Sequence, residues 1–379
     1  MKLIPKLILG IVVGIIIGLA APEFFARLLI TFKEIFGQLI GFAIPLIIIF
    51  FIVSGVASIG KQSGRIVAST AGIAYSSTVL AGTLAYVMAI IFIPMFTTSG
   101  GEVAKGVVGL DPFFKIEVAP LVGVMTALVT AFVFGIGIAK TESSTMKNFF
   151  DEGKKVIELL IVKVIIPILP IYIAGIFTEL AAEGTVFETL ATFGVVLMLA
   201  VFTHWVWLII QYSIAGAFTG KSTFGALKTM LPAYFTALGT MSSAATIPVT
   251  LRQAKANKVR EEVADFAVPL SATIHLSGST ITLTLCAVAV MVMSSGLSMP
   301  GFLDIMPFIL MLGVVMVAAP GVPGGAVMAA LGLLTTMLGF TETALGLMIA
   351  LYMAQDSFGT AANVTGDGAI AMLVDKIAK

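Results

Sequence analysis

Residues 342–375, "ETALGLMIALYMAQDSFGTAANVTGDGAIAMLVD", set Gln355, Asp356, Ser357, Thr360, Asn363, Thr365 and Asp367 into an otherwise apolar stretch. On a helix, Asp356, Thr360, Asn363 and Asp367 fall within a sector of about 60°, because their steps of four, three and four keep them on one face. A carboxylate at bilayer depth costs at least ~2.5–3.5 kcal/mol, so two of them call for partners or water. The chemistry such a stripe offers is the binding of something cationic. The plainer alternative is a polar seam between two helices, but seams use Ser, Thr and Asn more than paired Asp. Gly366 and Gly368 are poor helix residues, and their spacing predicts that the chain opens there and turns carbonyls toward a cation.

The elements that hold this stripe belong to a membrane. Hydrophobic residues make up 59% of the 379-residue chain, charged residues 11%, and mean hydropathy is +1.12. These values lie outside the globular range and predict an all-α polytopic membrane protein rather than a soluble enzyme. A net charge of +1 without a basic tract gives no reason to expect nucleic acid. The single cysteine, Cys286, rules out an intrachain disulfide framework and reads as a packed thiol in a helix. The opening "MKLIPKLILGIVVGIIIGLAAPEF" has the charged start of a signal peptide, but its apolar run of about 18 residues is long for one and reads as a retained first span.

Uncharged runs predict six spans, the first over 7–22 and the next over 35–60, 66–101 and 118–139, then, after a charged loop "KTESSTMKNFFDEGKK", two over about 156–178 and 189–215. Lys163 falls inside the fifth, where snorkelling or a neighbouring subunit accounts for it. If the N-terminus is cytoplasmic and the spans alternate, the inner segments hold Lys2, Lys6, Lys61, Arg65, Lys140, Lys147, Lys154, Lys155, Lys221, Lys228, Arg252, Lys255, Lys258, Arg260, Lys376 and Lys379, 16 of the 21 basic residues. The outer loops hold only Arg27, Lys33, Lys105 and Lys115, with acidic Glu102, Asp111, Glu117, Glu179, Glu183 and Glu188 among them. This asymmetry follows the positive-inside rule and predicts cytoplasmic termini in the plasma (inner) membrane.

The C-terminal half departs from simple alternation. Residues 305–341 carry no charge, yet "APGVPGG" sits at 319–325 near their centre. Arms of about 14–16 residues fall short of the ~20 needed to cross a bilayer, which predicts a re-entrant hairpin whose bare backbone faces protein or a watery cavity. A second candidate covers about 222–256, with "TMSSAATIP" at its tip and basic residues at both ends. Each hairpin precedes a long span interrupted by a polar pentapeptide, "HLSGS" at 275–279 and "NVTGD" at 363–367. Hairpin plus broken helix, twice and with opposite topology, is an inverted repeat of the kind that places a transporter's site at the midplane.

The motifs "SSAATIPVT", "PLSATIHLSGS", "GVPGG" and "NVTGD", in this order over residues 240–370, closely resemble the dicarboxylate/amino-acid:cation symporter family, the glutamate transporter superfamily. The first six spans resemble it less specifically. The resemblance implies a glutamate-transporter-like fold of eight transmembrane helices plus two re-entrant hairpins, assembled as a homotrimer in the lipid bilayer. It also implies a scaffold over 1–215, with spans 3 and 6 packing on a transport core over 216–379. That core would comprise hairpin 1 at about 222–256, broken span 7 at about 260–295, hairpin 2 at about 303–340 and broken span 8 at about 342–377. The core would move like an elevator, with the outer hairpin tip as a gate.

Aligned on "NVTGD", Asp356 falls where the family binds the substrate's amino group, Thr360 and Asn363 at substrate-contacting positions, and Asp367 at a sodium-site carboxylate. Gly359 stands where acidic-substrate members place an arginine, and Met241 replaces a second arginine. No Lys or Arg lies between Arg260 and Lys376. Burying a second substrate carboxylate without a partner would cost several kcal/mol, so the pocket is expected to be anionic and to take a neutral amino acid such as serine, threonine or alanine. Its ammonium would pair with Asp356. Its carboxylate would meet Ser242, Ser243 and the 319–322 tip, including Ala319, Gly321 and Val322, at half-helix ends. Thr246 belongs to the same candidate set, and loss of the arginine would leave volume at Gly359.

For the coupled cation, Asn363 and Asp367 suit Na⁺. The family's usual "NMDGT" is replaced by His275, Leu276, Ser277, Gly278 and Ser279, so an expected aspartate is Ser277, with Ser77 and Thr78 as matching ligands in span three. His275 leaves proton coupling open, or a neutral imidazole bonded to helix carbonyls. His204, beside Trp205 and Trp207, is expected in an aromatic packing or interfacial role. No cofactor is expected beyond Na⁺ or H⁺. Alternatives are an acidic amino acid or C4-dicarboxylate symporter, an ion channel lined by the hairpins, and an intramembrane aspartyl protease. Against the last, Asp356 and Asp367 would stand ~16 Å apart on one helix, where a dyad needs contact.

Overall fold

The computed structural model describes residues 3–59, 65–96, 110–294 and 296–378. Lys2, Lys61, Glu102, Lys105 and Lys379, together with the side chain of Arg65, lie outside the described residues. The fold is all-helical, in the order α1 (Leu3–Ala20), α2 (Glu23–Ile59), α3 (Arg65–Phe96), α4 (Val124–Thr141), α5 (Ser144–Leu160), α6 (Ile166–Ala182) and α7 (Val186–Thr219). Then follow α8 (Thr223–Thr240), α9 (Ser243–Ala256), α10 (Glu261–Ile274), α11 (Ser277–Met293), α12 (Phe302–Ala318), α13 (Gly325–Leu338) and α14 (Glu342–Ile377). Among the described residues, seven helical segments are long and apolar enough to span a bilayer. The paired helices α12 and α13, of 17 and 14 residues, are apolar but shorter.

Four expectations change. The charged segment 140–155 is not a loop: from Ser144 it is helix α5, which runs through a π-helical turn (Ile161–Ile165) directly into α6. The Ser143 hydroxyl accepts from Met146 N at 3.4 Å, Lys147 pairs with Asp151 one turn on at 2.6 Å, and Phe150 and Ile157 are buried. A capped amphipathic sequence of good helix formers needs no apolar run to be helical. The fourth span begins at Val124 rather than 118, because the preceding segment is pinned in non-helical form by Phe113 N donating to Thr31 Oγ1 and by Arg27 Nε donating to Asp111 O.

Lys33, expected in an outer loop, sits within α2 at 4% exposure, with Nζ 2.8 Å from both Glu34 and Glu179. Two carboxylates make its burial tolerable. Finally, α14 does not open at "NVTGD" but is continuous over 36 residues, about 54 Å at 1.5 Å per residue. Its glycines serve close packing. A Cβ at Gly366 would lie 2.7 Å from His275 Cε1 and 2.8 Å from Gln211 Oε1, and one at Gly368 would lie 2.7 Å from both Tyr212 Oη and Met230 Cε.

The chain does interrupt between α10 and α11, where His275 and Leu276 leave helical geometry. α14 is buried along nearly its whole length, against α7, α8, α10 and α11, and α3 packs on α10, α11 and α12. That burial explains how a polar stripe survives in a central helix: its neighbours, not lipid, supply the partners.

Candidate functional site

A cavity of about 110 Å³ lies where the α8–α9 and α12–α13 turns approach the middle of α14 and the α10–α11 interruption. Water occupies ~30 Å³ per molecule in the liquid, so the space suits a few waters or one small solute. Asp356, Thr360 and Asn363 line it from α14, Ser243 and Met241 from the α8–α9 turn, and Ala319, Gly321 and Val322 from the α12–α13 turn. Asp356 is 4% exposed and accepts a hydrogen bond from Gly324 N at 2.8 Å. Gly324 has φ +75°, the left-handed conformation that glycine adopts without a Cβ penalty. The same carboxylate that faces the cavity therefore also holds the α12–α13 turn.

The two turns touch. Ser242 caps α9 by accepting from Ala245 N at 3.2 Å, and its hydroxyl donates to Gly321 O at 3.3 Å. Thr246 donates to Ser242 O at 2.9 Å and pairs with Thr240. Ser242 and Thr246 thus brace the turn and do not line the cavity. Nor does Gly359. It lies at the crossing of α14 and α11, where a Cβ would be 3.2 Å from Thr282 Oγ1 and where Gly278 packs against its carbonyl. The volume expected at Gly359 is not there.

One helical turn deeper lies a second, fully buried cluster. His275 Nδ1 is 2.9 Å from Asp367 Oδ1, and its Nε2 is 2.8 Å from Ser77 Oγ and 3.3 Å from Gln211 Nε2. Gln211 Nε2 also donates to Ser77 Oγ at 2.8 Å. An ionised carboxylate only accepts, so Nδ1 carries the proton shared with Asp367; a neutral ring then accepts at Nε2 from Ser77. In that arrangement two acceptor oxygens, Asp367 Oδ2 and Gln211 Oε1, have no donor, and the Ser277 hydroxyl is also unpartnered. Oxygen acceptors of this kind beside a carboxylate are the class of ligand that hard cations take.

Asn363 pins α14 to α11: its Oδ1 accepts from Gly278 N and Ser279 N at 2.8 and 3.1 Å, and its Nδ2 donates to Ser279 Oγ. Thr78 bonds back to Ala74 O within α3. His204 is not interfacial but fully buried, with Nε2 3.0 Å from Gly278 O and 3.1 Å from Thr282 Oγ1. Cys286 is buried in α11, as expected of a packed thiol.

Two residues escaped the sequence reading. Gln211, in an apolar helix, carries no motif; a lone amide there was itself the available signal. Lys154 lines the cavity from α5. The expectation of a pocket with no cation holds for residues 261–375 but fails for the molecule, because the charged segment carrying Lys154 is not a cytoplasmic loop but a helix packed against α2.

The profile described as "Sodium:dicarboxylate symporter family" matches residues 3–377. The chain is 26% identical over 393 aligned positions to the "Serine/threonine transporter SstT" of Enterococcus faecalis, covering 97% of this chain and 90% of that protein. It is 29% identical over 266 positions to "Excitatory amino acid transporter 1" of Ambystoma tigrinum, covering 68% of this chain and 48% of the relative. It is 25% identical over 251 positions to the human "Neutral amino acid transporter B(0)", covering 64% and 45%. The chain thus spans about half the length of the animal relatives it matches.

Proposed function

We propose, starting from a chain that belongs to the Sodium:dicarboxylate symporter family, that the protein is a secondary active carrier of a small neutral amino acid, coupled to Na⁺. The family and these relatives are transporters, not enzymes. The observation that carries the reading is the small cavity holding the buried Asp356 carboxylate together with a second buried carboxylate, Asp367, ~16 Å further along the same helix, with orphan acceptor oxygens around it. The first suits an ammonium group and the second a bare cation.

In this reading the substrate ammonium pairs with Asp356 and competes with Gly324 for its oxygens, so occupancy is felt by the α12–α13 turn. Thr360, Ser243 and the Ala319–Val322 segment contact the rest of the solute. Na⁺ sits at Asp367 with Gln211 and Ser277, and His275 orients the carboxylate through Nδ1. The α8–α9 and α12–α13 pairs are the two re-entrant hairpins and, with α10–α11 and α14, form the moving core of 216–379. The chain then has eight spans, counting α14. Residues 1–215 form the scaffold of a homotrimer, with cytoplasmic termini in the plasma (inner) membrane, and the core moves elevator-fashion. Support comes from the two pairs of short helices, α8–α9 and α12–α13, each followed by a longer helical stretch, from the charge distribution and from the length-wide match to a serine/threonine carrier.

A second reading, carriage of an acidic amino acid, draws on Lys154 at the cavity. A thermal-shift screen of the twenty amino acids and several dicarboxylates, with and without Na⁺, separates the two. The first reading expects Na⁺-dependent stabilisation by serine, threonine or alanine. Stabilisation by aspartate or succinate alone would sink it.

A further inference from the structure

Among the described residues that line the cavity, Tyr352 alone carries a fully buried side-chain polar atom with no hydrogen-bond partner. It stands on α14 one turn before Asp356, on the same face of the helix, and is 0% exposed. Its hydroxyl is close enough to Asp356, and to Ser279 of α11, to interact with both, yet it meets hydrogen-bond geometry with neither. Those two neighbours are fixed from elsewhere: Asp356 Oδ2 accepts from Gly324 N at 2.8 Å, and Ser279 Oγ accepts from Asn363 Nδ2 at 2.9 Å. A buried tyrosine hydroxyl ordinarily finds a partner, and one left unpaired bears the desolvation cost of its donor and acceptor sites. Phenylalanine would fill the same volume without that cost.

The carrier reading sets the substrate ammonium at Asp356. In an amino acid with a β-hydroxyl, only two carbons separate the amino nitrogen from the hydroxyl oxygen. A substrate held at Asp356 therefore brings such a hydroxyl toward the side chain one helical turn away. Resting on that reading, we propose that Tyr352 selects hydroxylated side chains, its hydroxyl bonding to that of serine or threonine. The substrate carboxylate remains with Ser243, Thr360 and the Ala319–Val322 segment. A pocket that hydrogen-bonds a substrate hydroxyl rejects the analogue lacking it, because the protein group is then left buried and unpaired. A purely apolar wall discriminates far less between isosteres. Tyr352 is accordingly a specificity residue, and the substrate class narrows from small neutral amino acids to hydroxy amino acids.

The test measures KM for serine, alanine and 2-aminobutyrate in proteoliposomes holding the full chain under a Na⁺ gradient. 2-Aminobutyrate carries a methyl group where serine carries its hydroxyl, so it separates hydrogen bonding from size. In the wild type the serine KM should lie about tenfold below the other two. Tyr352→Phe should raise the serine KM about tenfold and leave the other two within about threefold, so that the preference disappears. Its melting temperature without ligand should hold or rise, because no hydrogen bond is lost. Equal KM values for serine and 2-aminobutyrate in the wild type overturn the proposal, as does a serine preference that survives in Tyr352→Phe. An equal loss for all three substrates also overturns it, because Tyr352 would then act by positioning Asp356. If Tyr352→Phe does not fold, Tyr352→Met is read by the same criteria. Failure of the wild type to carry any of the twenty amino acids is a different outcome, one that removes the carrier reading itself.

Discussion

Asp356 and Asp367 occupy one face of one helix, yet their surroundings give them different work. Asp356 faces a cavity and takes a single backbone N–H, whereas Asp367 is sealed in with an imidazole, its own Oδ2 and Gln211 Oε1 both without a donor. Asp356→Asn keeps the shape and removes the charge. It should weaken amino-acid binding by about 2–5 kcal/mol, at least ~30-fold, in calorimetric titration, while the melting temperature without ligand changes little. Gln211→Leu removes one orphan oxygen at nearly constant volume. Its expected signature is a roughly tenfold higher Na⁺ requirement in Na⁺ titrations of thermal stability, with amino-acid affinity restored at saturating Na⁺. An amino-acid affinity that fell equally at every Na⁺ concentration would place Gln211 in substrate contact instead.

At the scale of elements, the glycines of α14 set how closely its neighbours approach. Gly366→Ala pushes a methyl into His275 and Gln211, and overpacking of this kind costs about 1–3 kcal/mol. The melting temperature should fall and Na⁺ dependence should weaken together, because the displaced groups are those around Asp367. Gly359→Arg is expected to yield poorly folded protein, not an acidic-substrate carrier. The helix crossing at Gly278 has no room for a guanidinium, and detergent-solubilised yield by size-exclusion chromatography reads that outcome. The interruption at His275–Leu276 and the unbroken run of α14 are complementary. The α11 N-terminal N–H groups of Gly278 and Ser279, buried and without an intrahelical partner, are satisfied by Asn363 from a helix that stays continuous.

For the whole molecule, the cavity collects residues from five stretches distant in sequence, so ligand binding stabilises contacts among all of them. A ligand that binds only the folded state at 100 times its Kd adds about 2.7 kcal/mol. Serine together with Na⁺ should therefore raise the melting temperature clearly, and neither alone should match the pair. The protease alternative has no dyad to draw on, since Asp367 pairs with His275 and Asp356 with Gly324.

The class, the helical pairs and the polar face of α14 were legible in the order of residues alone. Hydropathy, Pro/Gly tips and helical periodicity are local properties that survive without coordinates. The same order also named the interruption at 275–279, although the same kind of polar, glycine-containing pentapeptide at 363–367 stays inside a continuous helix. What each polar group faces depends on helices that arrive from elsewhere in the chain. Gly366 and Gly359 carry the same local signal as a chain opening or an empty space, and become packing contacts once Gln211, His275 and Gly278 arrive from other helices. Lys154 looked like part of a solvated charge run and became a cavity residue because α5 continues α6 and lies against α2. Charge counts along a segment cannot see such a neighbour, since the field in a buried cavity is set by every chain segment that borders it.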